Sequence, residues 1–306
     1  MIINKHIAEG FSKGELYDVL VWLAQSGIGI QGEVYYVENN AGSDGNDGSC
    51  WDKAFKTLTY ALAVSHANIA ASSKGWAARN TIFCKGDAID EDLTKFAQKT
   101  NVIGVGSCDD CPQTRILGTH VSEAQSTADY MGCHFYNIEF KDDGASSNIT
   151  IPADQNGIEI HNCTFTVNAS GTYAITATSL YRLRIINCRF KPDGDGNKFA
   201  TAAILLAGTT SGGIEIVGNT IFGTIGIDCN CTNAVDGLVK DNLIVATTFP
   251  IDDESDDLIV INNRMITAAD ATTLETCLDI NLLKASGNRL ASAHGSIEVP
   301  ALTTYA

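Results

Sequence analysis

Asn187-Cys-Arg-Phe190, Gly218-Asn-Thr-Ile221, Asp241-Asn-Leu-Ile244, Asn262-Asn-Arg-Met265 and Gly287-Asn-Arg-Leu290 are five copies of one short pattern. Asn137-Ile-Glu-Phe140 and Asn162-Cys-Thr-Phe165 are two more upstream. Their first residues are spaced by 25, 25, 31, 23, 21 and 25 positions. A period in the twenties, with Asn and Gly at fixed offsets, marks a solenoid. Two residues before each copy stand Phe135, Ile160, Ile185, Ile216, Val239, Val260 and Ala285. The fourth position of each copy reads Phe140, Phe165, Phe190, Ile221, Ile244, Met265 and Leu290. Both columns are wholly apolar. Three residues before each copy the chain reads His134, Glu159, Arg184, Glu215, Leu238, Ile259 and Lys284, which is mostly polar. Such alternation is the period of a strand with one buried face. Its recurrence from copy to copy predicts strands stacked in parallel about 4.8 Å apart, with like side chains in ladders. The fold class expected is an all-β solenoid, a parallel β-helix.

The second position of the copies reads Ile138, Cys163, Cys188, Asn219, Asn242, Asn263 and Asn288. Four successive Asn at one corner can bond to each other and to turn backbone. Asn also tolerates the left-handed backbone of a sharp corner. On these residues the chain resembles the right-handed parallel β-helices of the pectate-lyase-like superfamily. A second stretch, Val34-Tyr-Tyr-Val-Glu-Asn-Asn-Ala-Gly-Ser-Asp-Gly-Asn-Asp-Gly-Ser-Cys-Trp-Asp-Lys-Ala-Phe-Lys-Thr-Leu58, resembles the opening of bacterial and bacteriophage β-helix proteins. That resemblance implies a strand, a Gly/Asp-rich loop and a capping helix that hide the open sheet edge of the first coil. The organisation expected is a helical arm at 1–33, an N-terminal cap at 34–100 and a single-stranded β-helix at 101–306. In the arm, Ser12-Lys-Gly-Glu15 reads as a capping box followed by Leu16, Val19, Leu20 and Leu23 at helical spacing, with Trp22 widening the apolar face. Ser49-Cys-Trp-Asp52 reads as the start of the capping helix, with Phe55, Leu58 and Leu62 on its buried side. Asp44, Asn46 and Asp47 lack the remaining ligands of an EF-hand and read as loop rather than calcium site.

Lys and Arg number 20 against 36 Asp and Glu, a net charge of −16. This balance argues against a nucleic-acid partner. No stretch approaches the ~20 apolar residues of a membrane span, so no membrane insertion is expected. Met1-Ile-Ile-Asn-Lys-His6 lacks the charged-then-apolar pattern of a secretory signal. Together with 10 Cys this points to synthesis in a reducing cytosol. Cys163 and Cys188 share a ladder position and read as small buried hydrophobes, with a disulfide between them as the alternative. Cys108-Asp-Asp-Cys111 is a lone CxxC, a loop unless a second ligand pair completes a zinc site. His6, His66, His120, His134, His161 and His294 are scattered, without a pair at helical ligand spacing. No metal and no cofactor is expected.

Enzymes of this fold mostly cut polysaccharides, hydrolases with Asp on adjacent coils and lyases with Arg or Lys beside bound calcium. The candidates here are Asp228, Asp252 with Asp253, and Asp279, on successive turns. No His adjoins them, and Asp142, Asp143 and the run Asp252 to Asp257 read as solvated turn charges. Arg189, Arg264 and Arg289 share an outward column that Glu139, Thr164, Thr220 and Leu243 interrupt. No catalytic cluster is therefore expected. One residue before each copy stand Tyr136, His161, Ile186, Val217, Lys240, Ile261 and Ser286. The apolar members Tyr136, Ile186, Val217 and Ile261, with Leu16, Leu20, Trp22 and Leu23 of the arm, read as partner-contact residues. The function expected is that of a structural or adhesive bacteriophage virion protein: capsid decoration, head fibre or tail-associated subunit. It would be a homo-oligomer, a trimer, touching other virion proteins and a host-surface glycan, at the virion surface after assembly in the host cytoplasm. Two alternatives stand: a protein of the bacterial cell surface, and a polysaccharide lyase or glycoside hydrolase.

Overall fold

A computed structural model of the chain describes residues 32–71, 79–106, 114–123, 132–141, 147–153, 155–167, 171–192, 198–267, 284–292 and 295–298. Residues 1–31 of the expected helical arm, Cys108, Cys111, Asp142, Asp143 and Asp279 lie outside the described residues.

The alternating segments form a parallel β-solenoid with three faces. The first face stacks Val34–Glu38, residues 80–84, Thr100–Gly104, Cys133–Tyr136, Glu159–His161, Arg184–Ile186, Glu215–Val217, Leu238–Lys240, Ile259–Ile261 and Ala285–Ser286. The second runs from residues 86–90 through Thr114–Leu117, Glu139–Lys141, Thr164–Val167 and Arg189–Pro192 to residues 220–223, Leu243–Ala246, Arg264–Thr267 and Arg289–Ser292. The third holds His120–Val121, Ile149–Ile151, Ile175–Thr178, residues 204–207, residues 227–229 and Ile251–Asp253. About six turns thus close on all three faces. Gly295–Glu298 folds back antiparallel on the last rung of the second face.

The register is the one read from the repeat. Phe135, Ile160, Ile185, Ile216, Val239, Val260 and Ala285 face one another across successive rungs, and all are buried. Phe140, Phe165, Phe190, Ile221, Ile244, Met265 and Leu290 do the same on the second face. Phe140, Phe165 and Phe190 stack with centroids 5.4 and 4.8 Å apart and rings 16° and 9° from parallel. These columns belong to one continuous apolar core.

The corner between these two faces divides its work between two positions. The first residue of every copy, Asn137, Asn162, Asn187, Gly218, Asp241, Asn262 or Gly287, has φ between 51° and 70°. That left-handed backbone suits Gly, Asn and Asp, which is why only those types occur there. The ladder Asn themselves are not the left-handed residues, contrary to expectation. They point inward at 0–2 % exposure. Asn242 Oδ1 accepts from the backbone N and the Nδ2 of Asn219 (2.8 and 3.0 Å), while Asn242 Nδ2 donates to Ile216 O at 2.9 Å and to Asn263 Oδ1. Asn263 and Asn288 repeat the arrangement, so the buried amides satisfy one another and the corner backbone. Cys163 and Cys188 occupy the same column with no disulfide between them. Cys188 Sγ donates to Ile160 O at 3.4 Å and Cys163 Sγ to Phe135 O at 3.7 Å, each carbonyl standing where the ladder Asn find theirs.

At the N-terminal end the chain makes helix α1 (Leu58–Ala71), which buries Leu58, Ala61, Leu62 and Ser65. Trp51–Lys53 is a separate 3-10 turn, so the helix starts later than Ser49 to Asp52 suggested. Its first amides are held from outside the helix. Asp44 Oδ1 accepts from Lys56 and Thr57 N, Glu91 from Leu58 and Thr59 N, and Thr57 Oγ1 from Tyr60 N. Asn46 donates to Ala54 O, and Asp47 accepts from Ser49 N and pairs with Lys53. The three polar residues of this loop thus organise the turn into α1.

Candidate functional site

Of the sequence-predicted carboxylates, Asp228 and Asp252 lie opposite each other on adjacent rungs of the third face. Backbones in such a pair run about 4.8 Å apart. Both side chains are half-buried on the outer surface, in a column that continues through Leu205, Thr176 and Thr150. Burial, then the neighbouring Asp252 and Glu254, push the Asp228 carboxyl up to about 6. One carboxyl of the pair is therefore poised to hold a proton near neutrality. Asp253 is not a solvated turn charge. It points inward at 1 % exposure, and its carboxylate accepts from Ser255 N, Ser255 Oγ and Leu258 N at 3.2, 2.5 and 3.1 Å. It closes the turn that leads to the next rung.

A second cluster, on the outer surface of the first face, escaped the sequence reading. Thr81, Asn101, His134, Glu159, Arg184 and Glu215 stand in one outward column on six successive rungs, with Thr81 and Asn101 at its start fully buried. The neighbouring column adds Tyr136 and His161, whose rings stack at 5.0 Å and 17°. Glu159 is the hub. Its Oε2 meets His161 Nε2 at 2.9 Å and His134 Nδ1 at 3.7 Å, and its Oε1 meets Arg184 at 3.5 Å. Arg184 Nε also donates to Glu215 at 2.9 Å, and Tyr136 Oη lies 3.3 Å from His134 Nδ1. Burial opposes ionisation of Glu159, but the His161 hydrogen bond and the positive charge that His134, His161 and Arg184 present in acid outweigh it and hold the carboxyl at about 2. Burial, then Arg79, lower His134 to about 3, so this imidazole is neutral at physiological pH. Burial and Glu159 raise the Tyr136 phenol well above its ordinary range. The cluster thus combines a fixed carboxylate, a neutral imidazole, a protonated phenol and a guanidinium on one surface.

Two histidines that look unrelated in the sequence, 27 positions apart, are therefore neighbours through one carboxylate. The signal was present in the mixed polar column beginning at His134 and in its neighbour beginning at Tyr136. Further along the same face the outer columns turn largely aliphatic, with Lys240 between Val217 and Ile261. Ile186, Val217 and Ile261, read as partner contacts, are half-buried there beside Leu238 and the exposed Ile259. On the second face the interrupted Arg column is confirmed in register. Its member Glu139 is buried, bonding Arg115 at 2.6 Å and Thr166 at 2.7 Å. Among the described residues no group of three or more His, Cys, Asp or Glu is arranged to hold a metal ion. Among them, too, no helix is long and apolar enough to cross a membrane. No protein-family model, no curated protein and no solved structure matches the chain.

Proposed function

We propose that this chain is a structural and adhesive β-solenoid of a bacteriophage particle, a capsid-decorating, head-fibre or tail-associated subunit that assembles as a homotrimer. The observation that carries the reading is the division of the first face. An ion-paired cluster centred on Glu159 adjoins a largely aliphatic field, with Ile186 and Val217 on its own rungs and Leu238, Ile259 and Ile261 on the next ones, broken by Lys240. Extended solenoid surfaces of this composition fit contact with another macromolecule better than turnover of a small substrate. The resemblance of residues 34–58 to the opening of bacterial and bacteriophage β-helix proteins is compatible with this, and it brings a right-handed coil, α1 as end cap and an N-terminal anchoring arm into the same proposal. The test is to find the chain in purified virions and to measure its mass in solution. Ile259→Glu and Ile261→Glu should lower the oligomer to monomer while leaving the β-sheet circular dichroism intact. A wild-type monomer that is absent from particles sinks the reading.

A second reading has one specific observation behind it. Paired carboxylates whose affinities for a proton are driven apart are the arrangement that acid–base cleavage of a glycosidic bond requires. Asp228, its carboxyl raised to about 6, faces Asp252 on an outer column of the third face. Release of reducing ends or unsaturated sugars from a polysaccharide panel, lost in Asp228→Asn and Asp252→Asn, would establish the enzyme instead.

A further inference from the structure

The strand Thr220–Val235 turns from the second face onto the third and carries Cys229 and Cys231. Residues two apart on a strand face the same side, and both thiols point inward, at 0 and 2 % exposure. Their sulfurs lie 3.4 Å apart, in contact without being bonded. Two steps of extended chain separate the Cα atoms by about 6.6 Å. That is within the ~4.4–6.8 Å that a disulfide spans. The Cβ atoms of such residues stand about as far apart as the Cα atoms, beyond the ~4.5 Å that a disulfide allows, so closing the bond draws this part of the strand out of its extended form and leaves a strained, easily reduced disulfide.

The surroundings differ from those of the other described buried cysteines. Cys229 Sγ lies 3.6 Å from Ser255 Oγ, whose proton goes to the buried Asp253 carboxylate. The Cys229 hydrogen bond pushes the Cys231 thiol down against its burial, and the same bond pushes Cys229 up. Asp253 and Asp257 are the charges that oppose ionisation of Cys231. Opposite Cys231 on the preceding rung stands Gly208, which adds no side chain over that sulfur. By contrast, Cys163 and Cys188 donate to backbone carbonyls, and burial first of all raises the Cys84 and Cys133 thiols, Cys133 to about 12. Of the two sulfurs, Cys231 has the side left uncovered by Gly208 and the lowered thiol, which makes it the attacking sulfur of the pair.

We propose that Cys229 and Cys231 are a reversible dithiol–disulfide pair oxidised by hydrogen peroxide. The Cys231 thiolate attacks one peroxide oxygen, the O–O bond breaks, and the departing hydroxide takes a proton to leave as water. Cys231 is then a sulfenic acid. Cys229 sulfur attacks Cys231 sulfur, the S–O bond breaks, and the hydroxyl leaves with the Cys229 proton as a second water. Two thiols and one peroxide have become one disulfide and two waters, and a small dithiol reverses the change by exchange. Peroxide, rather than a bulky disulfide, is the oxidant that suits thiols this buried.

The tryptic peptide of residues 199–240 contains both sulfurs and no other cysteine. The folded full-length chain is exposed to peroxide, quenched in acid, denatured, alkylated with iodoacetamide and digested. The expected result is a 199–240 peptide that has lost two hydrogens, carries no alkyl group and regains both after dithiothreitol. The peptides holding Cys163 and Cys188 should stay alkylated. In Cys229→Ser the sulfenic acid of Cys231 should be trapped by dimedone. In Cys231→Ser, Cys229 should remain alkylatable. A wild-type 199–240 peptide that still carries two alkyl groups overturns the proposal, whether or not the variants fold. So does oxidation seen only after the β-sheet circular dichroism is lost.

Discussion

At the scale of single residues, two adjacent corner positions obey opposite rules. The first must accept left-handed backbone in solvent, and the second must satisfy a buried amide. Asn262→Val should therefore be damaging, since a β-branched side chain at φ 56° is strained by about 1–2 kcal/mol, whereas Asn262→Gly should melt near wild type. Asn263→Leu should cost more. It removes the acceptor of Asn242 N and Nδ2 and the donor to Val239 O, each such loss costing ~1–3 kcal/mol. Cys188→Asn should keep the wild-type melting temperature, because Asn at that position would find the same Ile160 carbonyl. Thermal unfolding of the four variants checks the set; an Asn263→Leu melt equal to wild type would show that the buried ladder is dispensable.

At the scale of the element, the second face is organised by its inner aromatic stack. Phe165 lies between Phe140 and Phe190 and is fully buried, so Phe165→Ala should destabilise by ~3–5 kcal/mol, whereas Phe165→Leu should lose less by refilling the space. Denaturant titration separates the two. Electrostatics on the rungs carry signs that pH can read. His134 and His120 have folded values lowered, first of all by burial, to about 3 and about 4 from 6.5. Below pH 6.5 the unfolded chain takes up protons that these imidazoles refuse, so their contribution is lost as pH falls through that range. Glu159, held at about 2 against an ordinary 4.5, stabilises above 4.5 and its contribution disappears as pH falls toward 2. Asp228 runs the other way. Its folded value near 6 lies above the ordinary 3.8, so stability from this group is full at low pH and declines as pH rises from 3.8 to 6. Asp228→Asn should consequently melt higher than wild type at pH 7 and no differently at pH 3. An equal difference at both values would place the effect in packing rather than charge.

At the scale of the whole molecule, the polar cluster and the aliphatic field share one face, and they should fail separately. Glu159→Gln leaves the shape of the surface but removes the charge that His161 and Arg184 meet. It should weaken attachment to particles or to a surface glycan without changing the oligomer, whereas Ile259→Glu should dissociate the oligomer. Co-sedimentation with particles, beside analytical ultracentrifugation of each variant, distinguishes the two. Loss of the oligomer in both variants would mean that cluster and field form one interface.

The parallel solenoid, its inner columns and the buried Asn ladder were legible in the amino-acid order alone, because each coil meets only its neighbours and the same residue type returns at the same corner. The left-handed role was assigned to the wrong member of the Asn pair, since both positions carry Asn and only backbone geometry separates them. Which side chains form a site was settled in three dimensions. Coil lengths vary from 21 to 31 residues, so columns away from the repeated corner drift in sequence. Hence Asp252 and Asp253 look alike in order, yet one lies outside against Asp228 and the other inside against Ser255. His134, Glu159, His161 and Arg184 likewise come from three coils and join only when those coils stack, because hydrogen bonds and burial, unlike periodicity, depend on distances that the chain acquires on folding.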